Sequence, residues 1–292
     1  MQSGANTPAD PLPDPPRVAL IVAVYNGQAT LRACLDSLLR LDYPAERLEV
    51  VCVDNDSTDA TPRILASFGE RLRVLRESTR GPAAARNCGI RQTRSDVVAL
   101  TDADCVVDRQ WLRHLVAPLR DPGVGIVGGK ILSVQPCNAI EAFGERIHDH
   151  ARALNEITPP YVITMNWAAR RAVLERVGLF NEALRRSSDV DCSYRMVDAG
   201  YRLAYAPAAV IYHRNERTPW GLMHEGYVHG FHAPVVQQLH AAFLRRVRAE
   251  RAAASAAPPP QQTERWSDAL LWSLFRFGKR VGRLHASWGR QS

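Results

Sequence analysis

Three times in its first 105 residues the chain drives an aliphatic stretch into a polar turn and then into a helical pattern. Val18 to Val24 ends at Tyr25-Asn26-Gly27, and Leu48 to Val53 ends at Asp54-Asn55-Asp56-Ser57-Thr58-Asp59. Val97 to Leu100 stops at Thr101-Asp102-Ala103-Asp104. Short, nearly continuous apolar runs rich in β-branched residues are the signature of strands covered on both faces. Between the runs, Leu31, Leu35, Leu38 and Leu39 share one helical face, a helix is expected from Asp59 to about Phe68, and Ala83 to Thr93 forms a third helix after the short strand Leu72 to Leu75. The expected architecture is an α/β fold, a mostly parallel sheet flanked by helices. Its strand ends, residues 24–26, 54–56 and 102–104, share one edge, where open α/β sheets bind ligands.

Asp102 and Asp104 are the sharpest chemical feature. Two hard oxygen donors at a strand end suit Mg²⁺ or Mn²⁺, which complete their shells with water and phosphate oxygens. The competing reading is that Asp104 or Asp108 caps a helix beginning near Arg109.

Composition removes several classes. No apolar run reaches the ~18 residues of a membrane span, and the N-terminus lacks signal-peptide regions, so a cytoplasmic location is expected. Six cysteines, with no C-x-x-C pair, read as buried thiols. Only Lys130 and Lys279 are lysines, which leaves almost no candidate for a phosphate-loop or Schiff-base lysine. A dinucleotide-binding G-x-G-x-x-G is absent. Of the 37 Lys/Arg and 30 Asp/Glu, residues 243–292 carry ten and three, so the net +7 belongs to the C-terminal part. A neutral body argues against nucleic acid.

Further on, a strand is expected over 125–134, a helix over 139–154, a strand over 161–168, helices over 170–177 and 188–199, and a strand over 201–212 running to His213. Residues 1–16 are proline-rich and read as a disordered leader. Residues 17–235 form the main domain, 236–262 a helical extension and linker, and 263–292 a basic amphipathic helix. In that last segment Trp266, Leu270, Leu274, Phe277, Val281, Leu284 and Trp288 recur at spacings of three and four beside Arg276, Lys279, Arg280 and Arg283. The pattern fits peripheral contact with a membrane surface through 266–288, or docking on the main domain or a partner.

The ordered set of pieces resembles glycosyltransferase family 2, the inverting enzymes of the GT-A fold. These pieces are Val22-Ala23-Val24-Tyr25-Asn26, Val53 to Asp59, Gly81-Pro82-Ala83-Ala84-Ala85-Arg86-Asn87, Asp102-Ala103-Asp104, Val177-Gly178-Leu179-Phe180-Asn181-Glu182 and Ser188-Asp189-Val190-Asp191. The resemblance implies a GT-A sheet and transfer of a sugar from a nucleotide-diphosphate sugar to a hydroxyl of a saccharide or lipid-linked acceptor, in cell-surface polysaccharide or glycolipid synthesis at the inner face of the membrane. It places Val24, Tyr25, Asn26, Asp54, Asn55, Arg86, Asp102 and Ala103 against the nucleotide sugar, with UDP favoured. Asp104 and His213 become metal ligands for Mn²⁺ or Mg²⁺, and Asp189 the catalytic base. Trp167 and Asp191 stand on the acceptor side, although core packing is the simpler role for Trp167. Where the family carries an acid before the base, this chain has Ser188. That departure keeps open a catalytically silent nucleotide- or sugar-binding module; a further alternative is a sugar nucleotidyltransferase, which shares the fold type but normally carries a glycine-rich, basic phosphate loop near its first strand, where Gly27 stands alone.

Overall fold

The computed structural model describes residues 10–253 and 266–288, leaving aside the side chains of Trp266, Ser267 and Trp288. Expectations for residues 1–9 and for the linker at 254–265 lie outside the described residues. The chain divides into two compact units, one formed by 1–132 with 150–213 and one by 133–149 with 214–292. The second unit thus joins the chain from Arg214 onward to a helix from the middle of the sequence.

The first unit holds an eight-stranded sheet in the order β3-β2-β1-β4-β7-β6-β8-β5. Its strands are β1 (Val18–Val24), β2 (Leu48–Asp54), β3 (Arg73–Arg76), β4 (Val97–Asp102), β5 (Cys105–Val107), β6 (Val124–Ser133), β7 (Asn166–Arg170) and β8 (Arg202–His213). Helices α1 (Leu31–Leu38), α2 (Thr61–Ala66), α3 (Pro82–Arg91), α4 (Trp111–Val116), α6 (His150–Asn155), α7 (Arg171–Val177) and α8 (Ser188–Asp198) belong to it, while α5 (Ala139–Ile147) belongs to the second unit.

The alternation in β1 explains the double cover. Val18, Leu20, Val22 and Val24 enter one core with Leu31 and Leu35 of α1. Ala19 and Ile21 enter the opposite core with Ala83, Ala85 and Ile90 of α3. Strands β3, β2, β1 and β4 are parallel, as expected. The rest of the sheet is not: β7 runs antiparallel to β4 and β6, and β5 antiparallel to β8. The sheet is mixed rather than mostly parallel, because apolar periodicity fixes which face a residue takes and carries no information about strand direction.

Two smaller expectations also change. Residues 10–16 are tied to the first unit: the Tyr43 hydroxyl donates to Pro16 O at 2.7 Å, and Arg170 Nη1 to Asp10 O at 2.7 Å. Cys137 is exposed and Cys88 half-buried, so only four of the thiols are core residues.

In the second unit, α5 packs with α9 (Pro219–Leu239) and α11 (Trp266–Trp288), and α10 (Ala241–Ala253) follows α9. Phe143, Leu222, Leu271, Trp272 and Phe275 form the core, with Phe143 edge-on to Trp272 at 4.9 Å. Four glycines let α9 and α11 approach backbone to backbone. A Cβ at Gly226 would lie 2.2 Å from Phe275 O, at Gly230 2.0 Å from Lys279 O, at Gly278 2.0 Å from Met223 O, and at Gly282 2.1 Å from Tyr227 O. Each helix thus contributes a G-x-x-x-G pair to the contact. Gly278→Val is expected to cost at least ~1–3 kcal/mol, since both obstructing groups are helix backbone and neither yields alone. Urea unfolding checks it, with the exposed Ser273→Ala as the neutral control; an unchanged midpoint for Gly278→Val would refute the clasp.

Candidate active site

Parallel register brings the strand ends together. Val24 of β1 pairs with Asp54 of β2, and Ala23 with Asp102 of β4, so all three turns open on one edge. Gly27 makes the closeness possible: a Cβ there would sit 2.6 Å from Val24 and 3.7 Å from Ala103.

The first two turns are sewn to one another. Asn26, at φ 52°, receives nothing from its neighbours in sequence; its amide donates to Ser57 Oγ at 2.9 Å, and its Oδ1 accepts from the Thr58 amide at 2.8 Å. Gly27 N donates to Thr61 Oγ1 at 2.8 Å, and buried Asp54 accepts from the Ser57 amide at 3.0 Å. Tyr25 is half exposed, with the Arg80 guanidinium 4.0 Å from its ring centroid, a cation–π contact on an open aromatic face. Asn55 is spent on the fold. Its amide nitrogen donates to Glu77 O and Thr79 O, both at 2.8 Å, and its oxygen accepts from Gly81 N at 2.9 Å. With each of these groups engaged, Asn55 shapes the loop that starts α3 and has no donor left over to read a base.

Asp102 and Asp104 separate in role. Asp102 accepts from Arg86 Nη2 at 3.0 Å, pairing the acid with a guanidinium that is almost wholly buried on α3. Asp104 faces His213, with Oδ2 3.4 Å from Nε2. Antiparallel pairing of β5 with β8 makes that meeting, since Cys105 stands opposite His213. Burial pushes the Asp104 carboxyl up, but the hydrogen bond and charge of His213 prevail and hold it below the usual range. Helix capping is not its work. Nor is it the work of Asp108, which accepts from Gln110 N at 2.9 Å in the turn ahead of α4, where Gln110 is the N-cap residue.

Among the described residues no group of three or more His, Cys, Asp or Glu is placed to hold a metal ion. The pair Asp104–His213 nevertheless offers one hard carboxylate and one imidazole at the mouth of the site, a donor set that Mn²⁺ accepts and that leaves positions for water and phosphate oxygens.

Asp189 stands in the first turn of α8, after Ser187, which takes a left-handed φ of 62°. Its Oδ1 accepts from Val190 N at 2.9 Å, and Ser193 Oγ, which also accepts from Val162 N, donates to its carbonyl at 2.8 Å. Desolvation raises its pKa, against the lowering charge of Arg86, with Asp102 adding a smaller rise. Tyr161, for which no sequence signal existed, is near enough that its hydroxyl is pushed up to about 12, by burial first and by the Asp189 charge second. Ser188 is buried.

Two expected site residues are elsewhere. Trp167 is 0% exposed, packed on Phe180 at 5.5 Å in the core beneath α3, and cannot stack on a sugar. Asp191 is also buried, accepting from Arg195 at 2.7 and 3.0 Å while Arg195 donates to the carbonyls of Val177 and Leu179. It braces the turn after α7, on a helical face away from Asp189. Asn87 does related work from α3, donating to Phe180 O and Glu182 Oε1, both at 2.8 Å.

Residues 19–178 match the family model described as Glycosyl transferase family 2. Glycosyltransferase AglE of Haloferax volcanii is 34% identical over 196 residues, 65% of this chain and 64% of that protein. The Pre-mycofactocin glycosyltransferase of Mycobacterium tuberculosis is 31% identical over 231 residues, 75% of this chain and 47% of that protein. The chain thus spans between about half and two thirds of the length of these relatives. Among solved structures, the mannosyltransferase PcManGT of Pyrobaculum calidifontis, in complex with GDP-Man and Mn²⁺, superposes with a TM-score of 0.62 at 26% identity, covering 97% of this chain and 90% of that one. S. aureus TarS 1-349 in complex with UDP shares the fold, with a TM-score of 0.55 at 19% identity over 94% and 91% of the two chains.

Proposed function

The chain belongs to glycosyltransferase family 2, and on that premise we propose that it is an inverting, metal-dependent transferase. It moves a sugar from a nucleoside-diphosphate sugar to a hydroxyl of a saccharide or lipid-linked acceptor in cell-surface polysaccharide or glycolipid synthesis. The observation that carries this reading is the meeting, on one sheet edge, of a carboxylate–imidazole pair with a separate acid-binding arginine. Asp104 lies against His213, and Arg86 is held on Asp102.

In this reading the nucleotide lies over the turns after β1 and β2, where Tyr25 offers an open ring, Asn26 and Val24 shape the floor, and Asp54 is the buried acid. Asp102, Ala103 and Arg86 meet the ribose and diphosphate. Asp104 and His213 would hold Mn²⁺ or Mg²⁺, which when bound supplies Lewis-acid neutralisation of the departing diphosphate. Asp189 takes the proton of the acceptor hydroxyl as its oxygen attacks the anomeric carbon, and the raised affinity of this carboxyl for protons matches the work of a general base. Among the described residues no helix is long and apolar enough to cross a membrane. We place contact with a lipid-linked acceptor at the inner face of the membrane, peripherally, through residues 266–288.

A screen of nucleotide release from UDP-, GDP- and dTDP-sugars with Mn²⁺ tests the proposal. Release with one donor class is expected, UDP first. If nucleotides bind and none of the donors is turned over, with or without a saccharide acceptor, the protein is a silent binding module and Ser188 is the place to look for the cause.

A further inference from the structure

Helix α11 has two apolar faces, and the structure uses only one of them. Leu271, Trp272, Phe275, Gly278, Gly282 and Ala286 are turned inward on α5 and α9. On the other side Leu270, Phe277, Val281 and Leu284 are 65%, 59%, 41% and 57% exposed, and half-buried Leu274, which also packs against the core of the unit, stands in the same row at alternating spacings of four and three. A continuous apolar row of five residues is more than the scattered exposure that a surface ordinarily carries. Because the glycine clasp brings the backbones of α9 and α11 together, α11 cannot roll to hide the row.

Charge identifies what covers it. Residues 269–288 contain no acid, and Arg276, Arg280 and Arg283 are exposed along one flank of the row. The acid that begins the helix, Asp268, is buried and paired with Arg146 at 3.0 Å. A second copy of the same face would set Arg280 and Arg283 against their own counterparts, and residues 269–288 bring no carboxylate to that contact. A lipid surface bearing anionic headgroups answers both features, taking the apolar row into its acyl boundary and the guanidinium groups at the phosphates.

We infer that the outward face of α11, Leu270-Leu274-Phe277-Val281-Leu284 with Arg276, Arg280 and Arg283, is a preformed docking surface for an anionic lipid leaflet. It rests on the proposed function only in that a lipid-linked acceptor gives such a surface its use. The helix lies along the interface with its other face still clasped to α9. Removing the whole helix would uncover Phe143 and Leu222 of the second unit's core, so point substitutions on the outward face are the appropriate probe.

The full chain is sedimented with vesicles of phosphatidylcholine, with and without phosphatidylglycerol. Binding is expected only to the anionic vesicles and falls as salt is raised. Phe277→Asp with Val281→Asp is expected to weaken it at least about tenfold, and Arg280→Gln with Arg283→Gln about fivefold per charge. Thermal unfolding and nucleotide release, followed in the same preparations, stay at the level of the unaltered protein in both variants. Failure of the unaltered protein to sediment with anionic vesicles overturns the inference, as does equal sedimentation of the Phe277/Val281 variant. A dimer that Phe277→Asp converts to monomer also overturns it, in favour of a second copy. Loss of nucleotide release in the unaltered protein counts against the transferase reading and leaves the sedimentation result standing.

Discussion

Asp189→Asn lowers turnover by about a hundredfold or more while donor affinity stays near that of the unaltered protein. The substitution keeps the size of the side chain and its ability to accept from the Val190 amide, but removes the atom that takes a proton. Pre-steady-state and steady-state assays against donor titrations separate the two quantities. The pH dependence follows from the direction of the shift. Burial raises the Asp189 pKa, so the rate should fall as pH drops through that raised value, on an acid limb displaced upward from an ordinary aspartate. The variant should lose that limb.

Stability carries the same information with the opposite sign from a salt-bridged acid. The folded chain holds the Asp189 proton more tightly than the unfolded chain, so stability declines as pH rises from the ordinary aspartate range through the raised folded value, and the full cost is present above it. Asp189→Asn should therefore raise the unfolding midpoint at neutral pH. An active Asp189→Asn, or one whose donor affinity falls in step with turnover, removes the residue from the role of base. Asp191→Asn is the informative comparison, because it loosens the Arg195 brace and should lower stability without abolishing the acid limb.

Asp104→Ala removes the Mn²⁺-dependent part of nucleotide affinity, by more than the ~10–100-fold that changes outside the ligand shell cost. The Asp104 carboxylate lies against His213, whereas the Asp102 carboxylate is paired with Arg86. Calorimetry of UDP and GDP, each with and without Mn²⁺, reads the effect as the difference between paired titrations. His213→Ala should show the same loss in smaller measure, since the carboxylate remains. Metal-free nucleotide binding, which the proposal assigns to the turns at Tyr25 and Asp54, should change little in either variant. Equal metal-linked affinity in Asp104→Ala and the unaltered protein would take the ligand role away from this residue.

Much of the site was legible because its residues sit at the ends of strands, and strand ends are what apolar periodicity reveals best. The runs ending at Val24, Val53 and Leu100 are nearly continuous aliphatic stretches, and the structure finds β1, β2 and β4 within two residues of where the sequence places them. Asp189 was equally visible as an acid in the first turn of a helix closed by Gly200. Contacts between side chains far apart in sequence were not. Trp167 and Asp191 were placed on the acceptor side by resemblance, with core packing the simpler role for the tryptophan, and packing shows that the tryptophan fills a core and the aspartate is spent on Arg195. Asn55 was placed against the nucleotide by the same resemblance, and its three hydrogen bonds to residues 77–81 account for it instead.

By itself the sequence determined the half of the sheet whose connections are local: four parallel strands, the helices between them and the edge on which their turns open. Each of those features follows from side-chain alternation and turn chemistry within a few residues. Tertiary structure alone decided the rest. The antiparallel pairing of β5 with β8 sets His213 beside Asp104 across more than a hundred residues of chain, and no periodicity encodes the direction or partner of a strand. In the second unit, Gly226, Gly230 and Pro234 lie inside a 21-residue helix. Close contact of Gly226 and Gly230 with the α11 backbone at Phe275 and Lys279 offsets what the two glycines cost a helix on its own. The amphipathic stripe of α11 was plain in the sequence, but which of its two apolar faces would be buried depended on where those glycines met.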